Sequence, residues 1–433
     1  MASGPGPGPK GEDATPGLGW PRLMGMPLHV IAPGSRASDV PASASEALAG
    51  VEPRFEGLYV HVPFCFHKCH YCDFYSFVDT EDRQQAFVER LERELAALAA
   101  WVRAPLGTVF VGGGTPTLLA PPLLERALRA MRERMPLAAG AEWTVEANPE
   151  TVDDAVAGAL AAAGVNRVSL GAQSFDPRHL KTLERWHDPD SVARAIRRLR
   201  AAGVARISID LIFGIPGQTL AEWASDLDRA LALGTDHLSC YGLTYEPNTA
   251  MAVRLSRGEF EPCDEGVEAT MLEEAVARLA RAGFDRYEVS NWARVRDGDR
   301  TAERCRHNVL YWRNRDWLAA GPSASGHAQG VRWKNVPRLG DWLASEGTSP
   351  AVDVERADPD TRACERLMMG LRLVDGVPEA EVSEILALGA RGSARAAAIA
   401  RAESAGMLER VGGRLRFTPR GMMTANATLA ELA

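Results

Sequence analysis

The sequence predicts an α/β protein: a parallel, partial (β/α)6 barrel of TIM type, followed by a small α+β, winged-helix-like unit. Three observations predict it. Short apolar runs alternate six times with stretches of helical period. Polar residues capable of chemistry fall at the ends of those runs. Beyond about residue 355 the alternation gives way to helical patterns and one hairpin signal.

The alternation begins at residue 57. The apolar runs are 58–62, 108–111, 143–146, 167–170, 207–212 and 237–241. A helical pattern follows each. The first is the clearest: Phe87, Leu91, Leu95, Leu98 and Val102 share one face of a 3.6-residue helix. The others are expected over 122–134, 152–163, 191–202, 220–233 and 267–282. Strand–helix alternation of this kind builds a parallel sheet with helices outside. In such barrels reactive groups collect at the C-terminal ends of the strands. Cys65, Glu146, Gln173, Asp210 and Thr244 all fall at or near such ends, and Asp210 stands within an otherwise apolar run.

Around the barrel, four segments are expected. Residues 1–54 form a Pro/Gly-rich arm: the first fifty contain nine Gly and eight Pro, which favours coil. Its apolar stretch at 27–33 is too short for a signal-peptide core. The barrel spans 55–285, a connecting segment 286–350, and the C-terminal unit 351–433. In that unit helices are expected at 361–373, 379–388, 393–405 and 422–432. Two short runs flank Gly412-Gly413, a two-residue hairpin turn.

Composition narrows the function. With 49 basic and 57 acidic residues the formal charge is −8, which argues against nucleic acid as a partner. The C-terminal arginines at 391, 395, 401, 410, 414, 416 and 420 are spread over separate elements and read as solvated faces. No apolar run reaches the ~18–20 residues that span a bilayer. Seven cysteines show no disulfide framework. Cys240, Cys263, Cys305 and Cys364 are scattered and expected as free thiols, which implies a reducing, cytoplasmic location.

The other three, Cys65, Cys69 and Cys72, have the spacing Cys-x3-Cys-x2-Cys. Thiolates select zinc, Cu(I) or iron–sulfur clusters. A closed zinc site wants four ligands, and no fourth stands nearby. A cubane held by three thiolates keeps one iron open to a chelating molecule. The Gly112-Gly113-Gly114-Thr115-Pro116 segment after the second apolar run lets backbone approach a ligand closely.

This spacing, with Tyr71 just ahead of Cys72, resembles the radical S-adenosylmethionine (SAM) superfamily. There the open iron of a [4Fe–4S] cluster binds the amino and carboxylate groups of SAM. Residues 59–65, 112–116, 146–149, 171–175 and 209–219 together resemble the coproporphyrinogen dehydrogenase group. That resemblance implies that Tyr59, Gly113 and Glu146 contact cluster-bound SAM. It also places Tyr71, Gly114, Thr115, Gln173, Arg185, Asp210 and Thr244 at the positions of a second SAM. Two branches share these motifs. The oxygen-independent coproporphyrinogen III dehydrogenase has a further cysteine two places after the third thiol. Here that place is Phe74, and residues 72–76 are similar to the HemW branch of heme chaperones. His307-Asn308-Val309-Leu310-Tyr311-Trp312 matches the His-Asn-x-x-Tyr-Trp motif of that branch, which implies His307 as a heme ligand.

The residues allow the same reading. An imidazole is a standard axial ligand of heme iron. Tyr311 shares its helix face, and Trp312 adds a flat apolar surface. Arg304, Arg306, Arg313 and Arg315 suit propionates. The resemblance therefore implies a protein that binds heme and passes it to acceptor proteins, respiratory ones among them, in transient contact with membrane-bound acceptors. The dehydrogenase of porphyrin biosynthesis is the alternative.

Overall fold

Six strands run parallel and pair in chain order: β1 (Gly57–Val62), β2 (Leu106–Gly113), β3 (Leu137–Ala147), β4 (Arg167–Gln173), β5 (Arg206–Phe213) and β6 (His237–Gly242). The computed structural model that shows this describes residues 44–432. The expected arm therefore lies outside the described residues up to 43. From there, α1 (Ala44–Ala47) leads into the sheet, and Ala47 and Leu48 are buried.

Helices pack outside the strands: α2 (Gln84–Leu98), α3 (Pro121–Arg134), α4 (Asp154–Ala163), α5 (Pro177–Thr182), α6 (Asp190–Ala202) and α7 (Leu220–Ala232). The apolar stripe of α2 buries Phe87, Leu91, Leu95 and Leu98, as its spacing predicts, but Val102, expected on the same face, lies beyond the helix in extended backbone after a 3-10 turn at Ala99–Trp101. A capping box starts α7: Thr219 accepts from the Glu222 N–H, and the Glu222 carboxylate accepts from the Thr219 N–H. Such a cap contributes about 1 kcal/mol. After β6 come α8 (Ala250–Ser256) and α9 (Glu265–Arg281).

The sheet continues beyond the six strands on both sides. β7 (Phe284–Arg286) and β8 (Asn291–Arg294) add antiparallel to β6. After α10 (Arg306–Trp312), β9 (Trp317–Ala320) returns to pair parallel with β1. β10 (Ser325–Ala328), β11 (Val331–Asn335) and, past α11 (Leu339–Ala344), β12 (Ala351–Arg356) extend that side antiparallel. Residues 286–350, expected as a connecting segment, thus carry strands of one 12-stranded open sheet. The small residues of 321–327 let the chain pack closely on β1. Gly321 has φ +91°, and a Cβ there would stand 2.3 Å from the His61 carbonyl oxygen.

The C-terminal unit has its own core around Leu367, Leu371, Ile385, Ile399 and Leu415. It comprises α12 (Pro359–Arg372), β13 (Val377–Pro378), α13 (Glu379–Leu386), α14 (Gly392–Ser404), β14 (Leu408–Val411), β15 (Arg414–Phe417), α15 (Pro419–Met423) and α16 (Ala425–Leu432). The hairpin forms where predicted, and β13 adds a third strand that two residues of sequence do not reveal. The expected last helix is two, divided at Thr424. Arg395 departs from the solvated reading: it is 3% exposed and bonds Asp360 at 2.9 Å. Ion pairs Arg304–Asp375 and Arg332–Glu365 join this unit to the sheet.

Candidate cofactor site at the barrel mouth

The loop after β1 carries Cys65, Cys69 and Cys72 over the C-terminal ends of the strands. Backbone bonds pin it: Cys65 N–H donates to Phe77 O at 3.0 Å, and Phe77 N–H donates to Pro63 O at 3.0 Å. All three thiols are free and partly accessible. Thr115 Oγ1 lies 3.8 Å from Cys65 Sγ, and Arg185 Nη1 donates to Cys69 Sγ at 3.7 Å. Burial pushes the Cys72 thiol up to about 12 and raises Cys65 as well. A coordinating metal reverses that preference, because its charge deprotonates the thiol.

The donor set distinguishes the candidate metals. Ligands of one tetrahedral zinc lie roughly 3.8 Å apart, from Zn–S distances of about 2.3 Å. The three sulfurs do not gather as a set within 4.8 Å. Three thiolates on one loop with no fourth ligand beside them are the donor set of an iron–sulfur cubane that keeps one iron open. Among the described residues the set that does converge is Asp176, His179 and Glu222. There Arg178 already bonds both carboxylates, so the group is an ion-pair network.

The glycine run packs beside this loop. Gly113 has φ +104°, and a Cβ there would come within 2.4 Å of the His61 ring. A Cβ on Gly114 would meet Phe64 O at 2.7 Å, and Gly114 N–H donates to Val62 O at 2.8 Å. The space these glycines leave is thus taken first by the chain's own imidazole and cluster loop. Gly113 N–H donates to Glu146 Oε2 at 3.1 Å. Burial, then the nearby Asp210, push the Glu146 carboxyl up to about 8. Asp210 accepts from Ser169 Oγ at 2.9 Å, and burial raises its carboxyl too. Tyr59 OH bonds His61 Nδ1 at 2.9 Å, while His61 Nε2 bonds Tyr75 O at 2.7 Å.

Beside these residues, Arg185 bridges several parts of the mouth. Its Nη2 donates to Asn148 Oδ1 at 2.8 Å and to Gly171 O at 2.7 Å. Asn148 Nδ2 in turn donates to Thr115 Oγ1 at 3.1 Å. Gln173 ends β4 in a left-handed conformation, φ 63°, with its amide beside Gly171. Tyr71 packs against the small apolar cluster of Leu183, Ile212, Ile215, Leu243 and Met251. Thr244 lies two residues past β6 and is half-buried. His61 and Asn148 belong to this network and were not singled out from the sequence. Asn148 had one signal, its place two residues beyond Glu146 at the same strand end.

His307 is elsewhere, at the N-terminal end of the barrel. Its Nδ1 bonds Thr108 Oγ1 and its Nε2 bonds Tyr311 OH, both at 2.8 Å. The ring stacks on Phe110 at 5.3 Å and is 1% exposed. Burial pushes its imidazole down to about 3, so it is neutral. The buried Glu142–Arg167 pair anchors the helix: Glu142 accepts from His307 N–H, and Arg167 donates to the carbonyls of Glu303 and Arg304. As arranged, α10 plugs the barrel floor and offers no open nitrogen. Of the nearby arginines, Arg304 pairs with Asp285 and Asp375, Arg306 bonds Gly140 O, and Arg315 faces Glu56 at 3.9 Å.

A parallel β/α sheet with a three-cysteine loop at its mouth defines the class, that of radical SAM proteins. Residues 59–230 match the family model of the Radical SAM superfamily, and 357–424 match that of the HemN C-terminal domain. The chain is 38% identical to the heme chaperone HemW of Mycobacterium tuberculosis, over 87% of this chain and 94% of that one. It is 35% identical to the heme chaperone HemW of Escherichia coli, over 75% and 84%. The chain belongs to the HemW family. Its fold matches the solved structure of coproporphyrinogen III oxidase (HemN) from Escherichia coli with a TM-score of 0.75, at 21% identity over 89% of this chain and 92% of that one.

Proposed function

We propose that this protein is a heme chaperone that carries a [4Fe–4S] cluster with SAM and passes heme to acceptor proteins, respiratory ones among them. The carrying observation is the loop of three free, partly accessible thiols over the strand ends, in a chain of the HemW family. Cys65, Cys69 and Cys72 would hold the cluster. When bound, it supplies an open iron for the amino and carboxylate groups of SAM and an electron source. The chain's own residues prepare the place. Gly113 and Glu146 present a backbone N–H and a carboxyl beside the loop, and the Tyr59–His61 pair fixes the wall next to them. Tyr71, Gly114, Thr115, Gln173, Arg185, Asp210 and Thr244 line the rest of the mouth, where a second SAM is expected.

Phe74, 61% exposed, stands two places past Cys72 and supports the chaperone over the dehydrogenase. No helix among the described residues is long and apolar enough to cross a membrane. A cytoplasmic carrier meeting membrane-bound acceptors transiently fits that. The test is anaerobic reconstitution with iron and sulfide, then SAM, reductant and coproporphyrinogen III, with heme titrated in parallel. Stoichiometric heme binding without turnover is expected. Turnover to protoporphyrinogen IX would establish the dehydrogenase instead.

A further inference from the structure

The joint between the sheet and the C-terminal unit encloses a small cavity of about 20 Å³, room for about one or two water-sized groups. Arg286 and Val289 line it from the β7–β8 corner, and Leu272 from α9. Arg372 enters from the end of α12, and Met422 and Asn426 from α15 and α16. No carboxylate is among the lining residues. Two guanidinium groups therefore share a space otherwise bounded by apolar side chains and one amide.

Each guanidinium is held in place without an acid. Arg286 Nε donates to Glu288 O at 3.1 Å and its Nη2 to Val289 O at 2.6 Å, and the group lies over the Trp292 ring at 5.4 Å. Arg372 Nη1 donates to Met368 O at 3.2 Å, and its group lies over the Trp312 ring at 5.9 Å. Neither forms an ion pair with a described residue, whereas Arg304 at the same joint meets the Asp375 carboxylate. Glu288 is the carboxylate whose charge reaches both from a distance. It is itself turned to Ser290 N–H, Asn291 and Asn308. Burial pushes the Arg286 guanidinium down to about 10 and lowers Arg372 as well. A charge removed from water is costly until a counter-charge meets it. Two cations against one acid leave a positive charge over, which a monoanion balances.

We propose that this cavity binds a small carboxylate anion, held by N–H groups of Arg286 and Arg372, which ties the sheet edge to the C-terminal unit. The planar fork of a guanidinium matches the two oxygens of a carboxylate, and two oxygens suit the space. A nucleotide or a porphyrin is far too large for it, so the site is independent of the heme reading. Binding is ionic, with no covalent bond made.

The test titrates sodium acetate into the full chain at constant ionic strength, balanced with the sodium salt of a bulky sulfonate that the cavity excludes. Acetate is expected to raise the Tm saturably and to slow hydrogen exchange in both 284–294 and 419–428. Arg286→Met and Arg372→Met are each expected to raise the half-saturating acetate concentration about tenfold or more. Arg401→Met, which removes an exposed ion pair with Glu431, is expected to respond as wild type does. Should a Met variant not fold, the Lys variant at that position keeps the charge without the fork and is expected to weaken acetate binding as well. A wild-type chain with no saturable response to acetate would overturn the proposal, as would an unchanged response in both arginine variants. Chloride that protects as well as acetate at equal concentration would overturn the carboxylate assignment.

Discussion

Cys72 shows how much one side chain decides. Its sulfur is the last of three, and Asp73 and Phe74 follow it with no further thiol. Cys72→Ser is expected to lose most of the reconstituted iron and sulfide, measured by colorimetric assay against wild type. Glu146 carries a second consequence. Its carboxyl titrates near 8 in the fold, against 4.5 for an ordinary glutamate, because burial and Asp210 favour the neutral form. The folded state therefore holds this proton more tightly than the unfolded chain. Its stabilising contribution is full below 4.5 and is lost as pH rises through 8. Glu146→Gln stays neutral, so its Tm relative to wild type is expected to be more favourable at pH 9 than at pH 6, by thermal denaturation. Cys65, Glu146 and Asp210 were legible in sequence because a polar residue at the end of an apolar run has few other reasons to be there. His61 was not: inside an alternating strand, nothing in its neighbours shows that both its nitrogens are bonded.

The motif helix α10 makes the same contrast between residues and their placement. Its His-x3-Tyr spacing correctly puts His307 and Tyr311 on one face, and they do bond. Spacing says nothing about which end of the barrel the helix meets, and Thr108, Glu142 and Arg167 set that from strands far away in sequence. The anchoring pair is nearly sealed, at 1% and 2% exposure. Breaking a buried pair by removing one partner costs about 3–5 kcal/mol. Glu142→Ala is expected to destabilise the chain by that order in urea unfolding, and to raise hydrogen exchange in 305–312 first.

Across the whole molecule, the six parallel units were readable because each repeats an apolar run of four to six residues and a long helical stripe. The flanking strands were not. β9 is four residues, all buried, and too short to show a period. β7 and β13 are shorter still, so only tertiary pairing reveals them. The separate C-terminal core was visible in its helical patterns, but its joint to the sheet was not, since Arg304–Asp375 links residues 71 apart. Asp375→Ala is expected to speed protease cleavage near 356–359 while leaving the reconstituted iron content unchanged.

Every function assigned to the mouth depends on a cluster whose fourth metal corner is open. The most direct measurement is electron paramagnetic resonance of the reconstituted, reduced full chain, before and after SAM is added. A [4Fe–4S]+ signal whose g-values move when SAM binds is the expected result. Iron-free protein with zinc on the three cysteines, or a cluster signal indifferent to SAM, would contradict it.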